Sequence, residues 1–280
     1  MRYNGRQKSS GGETMQYIEL HGAKVPVIGL GTWDLRGDEG YRAVLSALSL
    51  GYRHIDTAEF YDNEREVGRA IRDSGVPRED IFLTTKVWYT HLHFQDLVHS
   101  CEESLRKLGT DYVDLYLIHW PSEAVPLEES LRAMEKLHKE GKVRFIGVSN
   151  FDVALLEKAR TLTTLPILTD QVEYHPYLSQ KPLLEYCQKH RIILTAYSPL
   201  ARGRLFGDPL LQDIARKYGK TVSQVVLRWL VEQDMVVAIP KAKDVKHQQE
   251  NLEIFDFSLT QEEHEAIARL DRGEKVASRL

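Results

Sequence analysis

The chain has 280 residues, 42% hydrophobic and 28% charged, with a formal net charge of −4. This fits one large soluble domain able to bury a sizeable core. It argues against a nucleic-acid or anionic-membrane partner, since both favour a basic surface. No apolar run approaches the roughly 20 residues that span a bilayer. Residues 1–14 are polar and lack the apolar stretch of a secretory signal. They read as a disordered extension or tag, and residues 15–280 as the folded domain. Cys101 and Cys187 sit in helical text outside any C-x-x-C motif, so reduced thiols in a cytoplasmic protein are expected.

From residue 15 onward two textures alternate. Strand-like runs cover residues 27–33, 54–58, 82–87, 113–120, 143–150, 168–174, 192–198 and 236–240. Between them lie amphipathic helical patterns at 39–50, 64–74, 94–108, 127–139, 153–159, 181–190, 210–218, 222–232 and 245–252. Such alternation means parallel strands with crossover helices. Eight units with short loops predict a closed (β/α)8 barrel of the TIM type, with the active site at the C-terminal ends of the strands. The runner-up is an open doubly wound sheet, which would carry a G-x-G-x-x-G turn. The stretch Gly29-Leu30-Gly31-Thr32-Trp33-Asp34 lacks the third glycine and leads into a polar loop.

Polar residues interrupt the apolar strands where a barrel would place its mouth: Asp56, Lys86, His119, Asn150 and Gln171, with Tyr61 just beyond the second strand. A buried Lys86 requires a partner, and Asp56 on the neighbouring strand is the natural one. The ammonium should then lower the pKa of Tyr61 from about 10 toward neutrality. A phenol so tuned can give a proton to a carbonyl oxygen, with His119 hydrogen-bonded to the same oxygen. Such a site has no protein nucleophile and needs an external hydride donor. Each residue alone has a blander reading: a structural ion pair, a packing tyrosine, a strand-end histidine. Lys86 could also form a Schiff base, although a charged partner that keeps it protonated opposes this.

Ser149, Asn150 and Gln171 offer groups that could grip a carboxamide, Tyr197 could stack on its ring, and Lys241 makes an anion site. Lys243, Lys246 and His247 add positive charge there or form a solvated basic face. His91 and His93 form an H-x-H pair without a third ligand at metal spacing, and no metal is expected.

At these residues the sequence resembles the aldo-keto reductase superfamily, over nearly the whole chain from Met15. The matching text includes GLGTW (29–33), GYRHIDTAEFYDNEREVG (51–68), TTKVW (84–88), DYVDLYLIHWP (111–121), GVSNF (147–151), QVEYHP (171–176), AYSPL (196–200) and IPKA (239–242). The resemblance implies a catalytic tetrad of Asp56, Tyr61, Lys86 and His119. It implies hydride transfer from C4 of NADPH to a carbonyl carbon, with Tyr61 supplying the proton. The cofactor contacts it implies are Gly31, Thr32, Trp33, Asp56, Ser149, Asn150, Gln171, Tyr197, Ser198, Leu200, Lys241, Ala242, His247, Glu250 and Asn251. Trp33, Trp88, Tyr89, His119 and Trp120 are expected to contact substrate.

Two departures stand out. Many members hold the cofactor's 2′-phosphate with a Ser and an Arg where this chain has Ala242 and His247. NADPH preference with some NADH use is therefore expected, because a neutral His grips a phosphate less firmly than a bidentate Arg. The loops after strands are short, as in the bacterial 2,5-diketo-D-gluconate and methylglyoxal reductases. Small aldehydes, α-dicarbonyls and keto sugars are the expected substrates, and a monomer the expected state. The alternative is an NADP(H)-binding sensor or regulatory subunit with little turnover.

Overall fold

The structure, a computed structural model, describes residues 15–277. The expectation for residues 1–14 lies outside the described residues. In chain order the elements are β1 (Tyr17–Leu20), β2 (Ala23–Pro26), β3 (Leu30–Gly31), α1 (Gly37–Ser49), β4 (His54–Asp56), α2 (Glu64–Asp73), β5 (Phe82–Val87), α3 (Phe94–Leu108), β6 (Val113–Ile118) and α4 (Leu127–Lys139). There follow β7 (Val143–Ser149), α5 (Val153–Leu162), β8 (Ile167–Glu173), α6 (Lys181–His190), β9 (Ile193–Tyr197), α7 (Pro209–Tyr218), α8 (Val222–Glu232), β10 (Val236–Ala238), α9 (Val245–Leu252) and α10 (Gln261–Ala268).

Strands β3 to β10 form one sheet in sequential order, each paired in parallel with the next. The seam between its ends is closed: Ile28 bridges Ala238 in parallel. The Gly29 N–H donates to the Ala238 carbonyl at 2.9 Å, and the Gly31 N–H to that of Pro240 at 3.1 Å. The barrel predicted from strand–helix alternation is present. The first predicted strand, 27–33, is regular only at Leu30–Gly31. Its backbone lies close against the last strand there, and a Cβ on Gly31 would meet the Ile239 carbonyl oxygen at 2.6 Å.

The antiparallel hairpin β1–β2 precedes the barrel and was absent from the predicted strands. Its turn residues His21 and Gly22 both have positive φ, 52° and 84°, as a two-residue hairpin turn requires. Leu20, Ala23 and Val25 pack with Phe82, Leu115, Leu117, Ile193 and Val237, so the hairpin plugs the N-terminal end of the barrel. The unpredicted α10 starts at a capping box, in which Thr260 and Glu263 satisfy each other's backbone N–H groups. The larger apolar cluster lies between the sheet and the helices. Cys101 and Cys187 are free and buried. No helix among the described residues is long and apolar enough to cross a membrane.

The C-terminal segment folds back onto the mouth. Glu173, at the end of β8, accepts the backbone N–H groups of Val276 and Ala277 at 2.7 and 2.9 Å, together with His175 Nε2 at 2.8 Å. The Arg272 guanidinium lies 3.6 Å from the Tyr177 ring centroid, and Arg204 pairs with Glu274 at 2.6 Å.

Candidate active site

Residues that alternate along a strand share a face, so β5 sends Thr84 and Lys86 inward as β4 sends Asp56. Lys86 is fully buried. Its Nζ donates to Asp56 Oδ1 at 2.6 Å, to the Thr57 carbonyl at 2.9 Å and to Tyr61 Oη at 3.1 Å. Burial works against the ammonium, but Asp56 and Tyr61 outweigh it and hold the Lys86 pKa above its ordinary value. A lysine kept charged this way is a poor nucleophile, which opposes the Schiff-base reading of Lys86.

Tyr61 arrives on a short 3-10 turn, Glu59–Tyr61, which ends at Asp62 in left-handed backbone, φ 51°. Its phenol departs from the expectation. Burial pushes its pKa up, the Lys86 charge pulls it down, and Asp56 pushes it up again, so the net direction is upward. The expected shift toward neutrality is thereby corrected: the ammonium opposes desolvation without overcoming it.

His119 follows β6, with its ring edge-on to Tyr61 at 5.6 Å. Burial, helped by the Lys86 charge, drives its pKa well below the ordinary value, so the imidazole is neutral. Its Nδ1 is buried without a partner.

The second set joins the first through one hydrogen-bonded chain. Gln171 Nε2 donates to Asp56 Oδ2 at 2.7 Å. Ser149 Oγ donates to the Gln171 carbonyl at 2.7 Å. Asn150, in left-handed backbone at φ 62°, donates to Ser149 Oγ and to the His119 carbonyl, and accepts from Tyr197 Oη at 2.7 Å. Ser198, beyond Tyr197, is also left-handed at φ 46°.

The rim is aromatic. Phe60 stacks on Trp88 at 3.8 Å, and Trp88 stands edge-on to His119 at 5.1 Å and tilted against Tyr89. Trp33 is 40% exposed, with Arg202 and Lys241 over its ring at 4.8 and 5.5 Å. Trp120 is half-buried beside the mouth.

Farther out, Lys241, Lys243, Lys246, His247 and Glu250 lie at or near the surface, whereas Ala242 and Asn251 are buried. Asn251 hydrogen-bonds toward Tyr52. Ala242 and Asn251 are thus the two expected contacts of this stretch whose side chains are turned inward.

Three supporting residues escaped the sequence reading. Buried Asn63 accepts from Thr57 Oγ1 and donates to the Thr32 and Leu35 carbonyls, tying the loop after β3 to the turn that carries Tyr61. Glu59 accepts the Trp88 N–H and His91 Nδ1. Glu173 holds the C-terminal segment. The signal available was position: Glu59 and Asn63 flank Tyr61 in the run AEFYDNE. His93 pairs with Glu129 at 3.2 Å.

The Aldo/keto reductase family model matches residues 27–272. The chain belongs to the aldo/keto reductase family. This aldo/keto reductase is 44% identical over 261 residues to glyoxal reductase of Bacillus subtilis (strain 168), covering 92% of this chain and 94% of the relative. It superimposes with a TM-score of 0.93 on the crystal structure of a protein assigned as 2,5-diketo-D-gluconic acid reductase B, at 45% identity, with 95% and 96% of the two chains covered. An aldo-keto reductase solved with NADPH gives a TM-score of 0.90 at 34% identity, covering 95% of this chain and 91% of that one. The family assignment makes this chain an oxidoreductase acting on aldehyde or ketone carbonyls.

Proposed function

We propose that the chain reduces the carbonyls of small aldehydes, α-dicarbonyls and keto sugars to alcohols, with NADP(H) as cofactor and Tyr61 as the general acid. The observation that carries this is the buried contact between Lys86 Nζ and Tyr61 Oη at 3.1 Å, backed by Asp56. The site fits the dinucleotide by the chemistry of its donor set. Amide and hydroxyl groups of Ser149, Asn150 and Gln171 meet at the mouth beside the Tyr197 ring. Gly31, Thr32, Ser198 and Leu200 would hold the stretch of the dinucleotide between that ring and the exposed side chains of Lys241, Lys243, Lys246 and His247. NADPH, when bound, supplies the hydride.

The protein's own groups do the rest. Tyr61 Oη holds the proton that the carbonyl oxygen receives, and the Lys86 ammonium stabilises the phenolate left behind. Asp56 and the Thr57 carbonyl keep that ammonium in place. Neutral His119 can donate a hydrogen bond to the same oxygen without placing a second cation beside Lys86. The rim of Trp33, Trp88, Tyr89 and Trp120 suits a small polar carbonyl compound held against flat apolar walls. Glyoxal reductase among the relatives supports an α-dicarbonyl substrate. A cytoplasmic monomer is the state in which we place this activity.

The test is NADPH consumption that depends on added glyoxal or methylglyoxal. Tyr61→Phe keeps the ring and removes the proton donor. It should lower the rate by a factor on the order of 10² or more with NADPH affinity retained. Undiminished reduction by that variant refutes the role of Tyr61. Tight NADPH binding with no turnover on any carbonyl would favour the sensor alternative.

A further inference from the structure

We propose that Asp244 sets the cofactor selectivity of this chain, opposing the 2′-phosphate of NADPH and accepting the free ribose 2′-hydroxyl of NADH. The inference rests on the cofactor reading above, which puts the adenosine end of the dinucleotide at residues 241–250.

Each lysine of that stretch, and His247 with them, faces a carboxylate. Lys241 lies 3.9 Å from Asp34, Lys243 3.3 Å from Glu39, Lys246 3.9 Å from Glu250 and His247 3.5 Å from Asp244. His247 stands where related chains carry a phosphate-binding Arg, and Asp244 lies against it, one helical turn back. The Asp244 side chain is 60% exposed. It occupies the position before α9 but caps no backbone N–H. Its carboxylate is thus committed to the imidazole and to whatever approaches from solvent, not to holding the helix.

The segment carrying it is fixed. Gln248 is buried and donates to the Ala242 and Ala43 carbonyls at 3.0 and 2.8 Å, and its Oε1 accepts from Ser46. The backbone that carries the acid is therefore held in place. A phosphate dianion beside this carboxylate meets like charge and loses part of the attraction of His247 and Lys241. A neutral 2′-hydroxyl meets an acceptor instead, the arrangement by which acidic residues recognise the ribose of NAD in other dinucleotide sites. Asp244 therefore lowers the advantage of NADPH more than the replacement of Arg by His247 does alone.

The experiment measures affinities, independent of turnover. Calorimetry gives the Kd of 2′,5′-ADP and of 5′-ADP for the parent, Asp244→Asn and Asp244→Ser. Asn and Ser are both favoured before a helix, so α9 should be retained. Each substitution should raise the preference for 2′,5′-ADP over 5′-ADP on the order of 5-fold. The change should shrink as salt screens the charges. An unchanged or reduced preference in both variants overturns the role of Asp244. NADPH and NADH titrations of the parent separate the two claims. If neither binds, the cofactor reading fails and this inference with it. If both bind and the preference does not move, only the inference fails.

Discussion

Along β6, Leu115 and Leu117 meet the hairpin plug, and two residues later His119 stands in the mouth. β9 makes the same transition, from Ile193 in the plug layer to Tyr197 on Asn150. One end of the barrel is sealed by apolar contact, while the other holds a desolvated ammonium and carboxylate. The lesson lies in how each end is satisfied. The plug end has many interchangeable neighbours, so its contribution is spread over them. The mouth has a few polar groups whose partners are specific, so removing one strands another.

The largest effect expected from this contrast is at Lys86. Lys86→Met leaves the buried Asp56 carboxylate without its cation and should cost about 3–5 kcal/mol of stability, read by urea unfolding. It also removes the charge that opposes desolvation of Tyr61, so the phenol pKa moves further up. In the alcohol-oxidising direction, which needs the phenolate, the alkaline rise in rate should then shift to higher pH. A profile identical to that of the parent would break the coupling between the two groups.

Next comes the plug. Leu20→Ala should cost about 2–5 kcal/mol and leave kcat/KM per folded molecule near that of the parent. A loss of catalysis as large as the loss of stability would mean that the two ends are not separable.

His119 sharpens the contrast through pH. Its folded pKa is depressed below the ordinary 6.5. Its contribution to stability is therefore full above 6.5 and is lost as pH falls toward the depressed value, where the unfolded chain binds the proton first. His119→Gln should flatten the acid side of the stability curve by up to about 1.4 kcal/mol per pH unit. An unchanged slope would mean that the imidazole is not buried neutral.

The smallest effect is at the hairpin turn. A Cβ on Gly22 meets nothing within 4 Å, so only the positive φ penalises Gly22→Ala. About 1 kcal/mol is expected, with no change in activity.

The mouth was largely legible because a charged residue in an apolar strand is conspicuous, and alternation says which face it takes. Asp56, Lys86, His119 and Gln171 stood out on that ground. Tyr61 needed the neighbouring lysine to give it meaning. The direction of its pKa was not legible, since depth of burial is a property of the closed barrel and not of the local text. The strand-like text from Met15 was not resolved into a hairpin, although its apolar residues alternate, because Glu19, His21 and Lys24 interrupt it. Asn63 and Glu59 act on backbone groups far away in sequence, which no spacing reveals. The role of Glu173 depends on a segment a hundred residues later.

The opposite placement of the two described chain ends has a practical side. The first described residues lead into the plugged end, whereas Val276 and Ala277 are held at the open one. Holding the protein on a sensor chip or bead from the hairpin side would turn the catalytic opening toward the bulk solution. A linker joined at Ala277 would press that opening against the support and pull on the two amides that Glu173 secures.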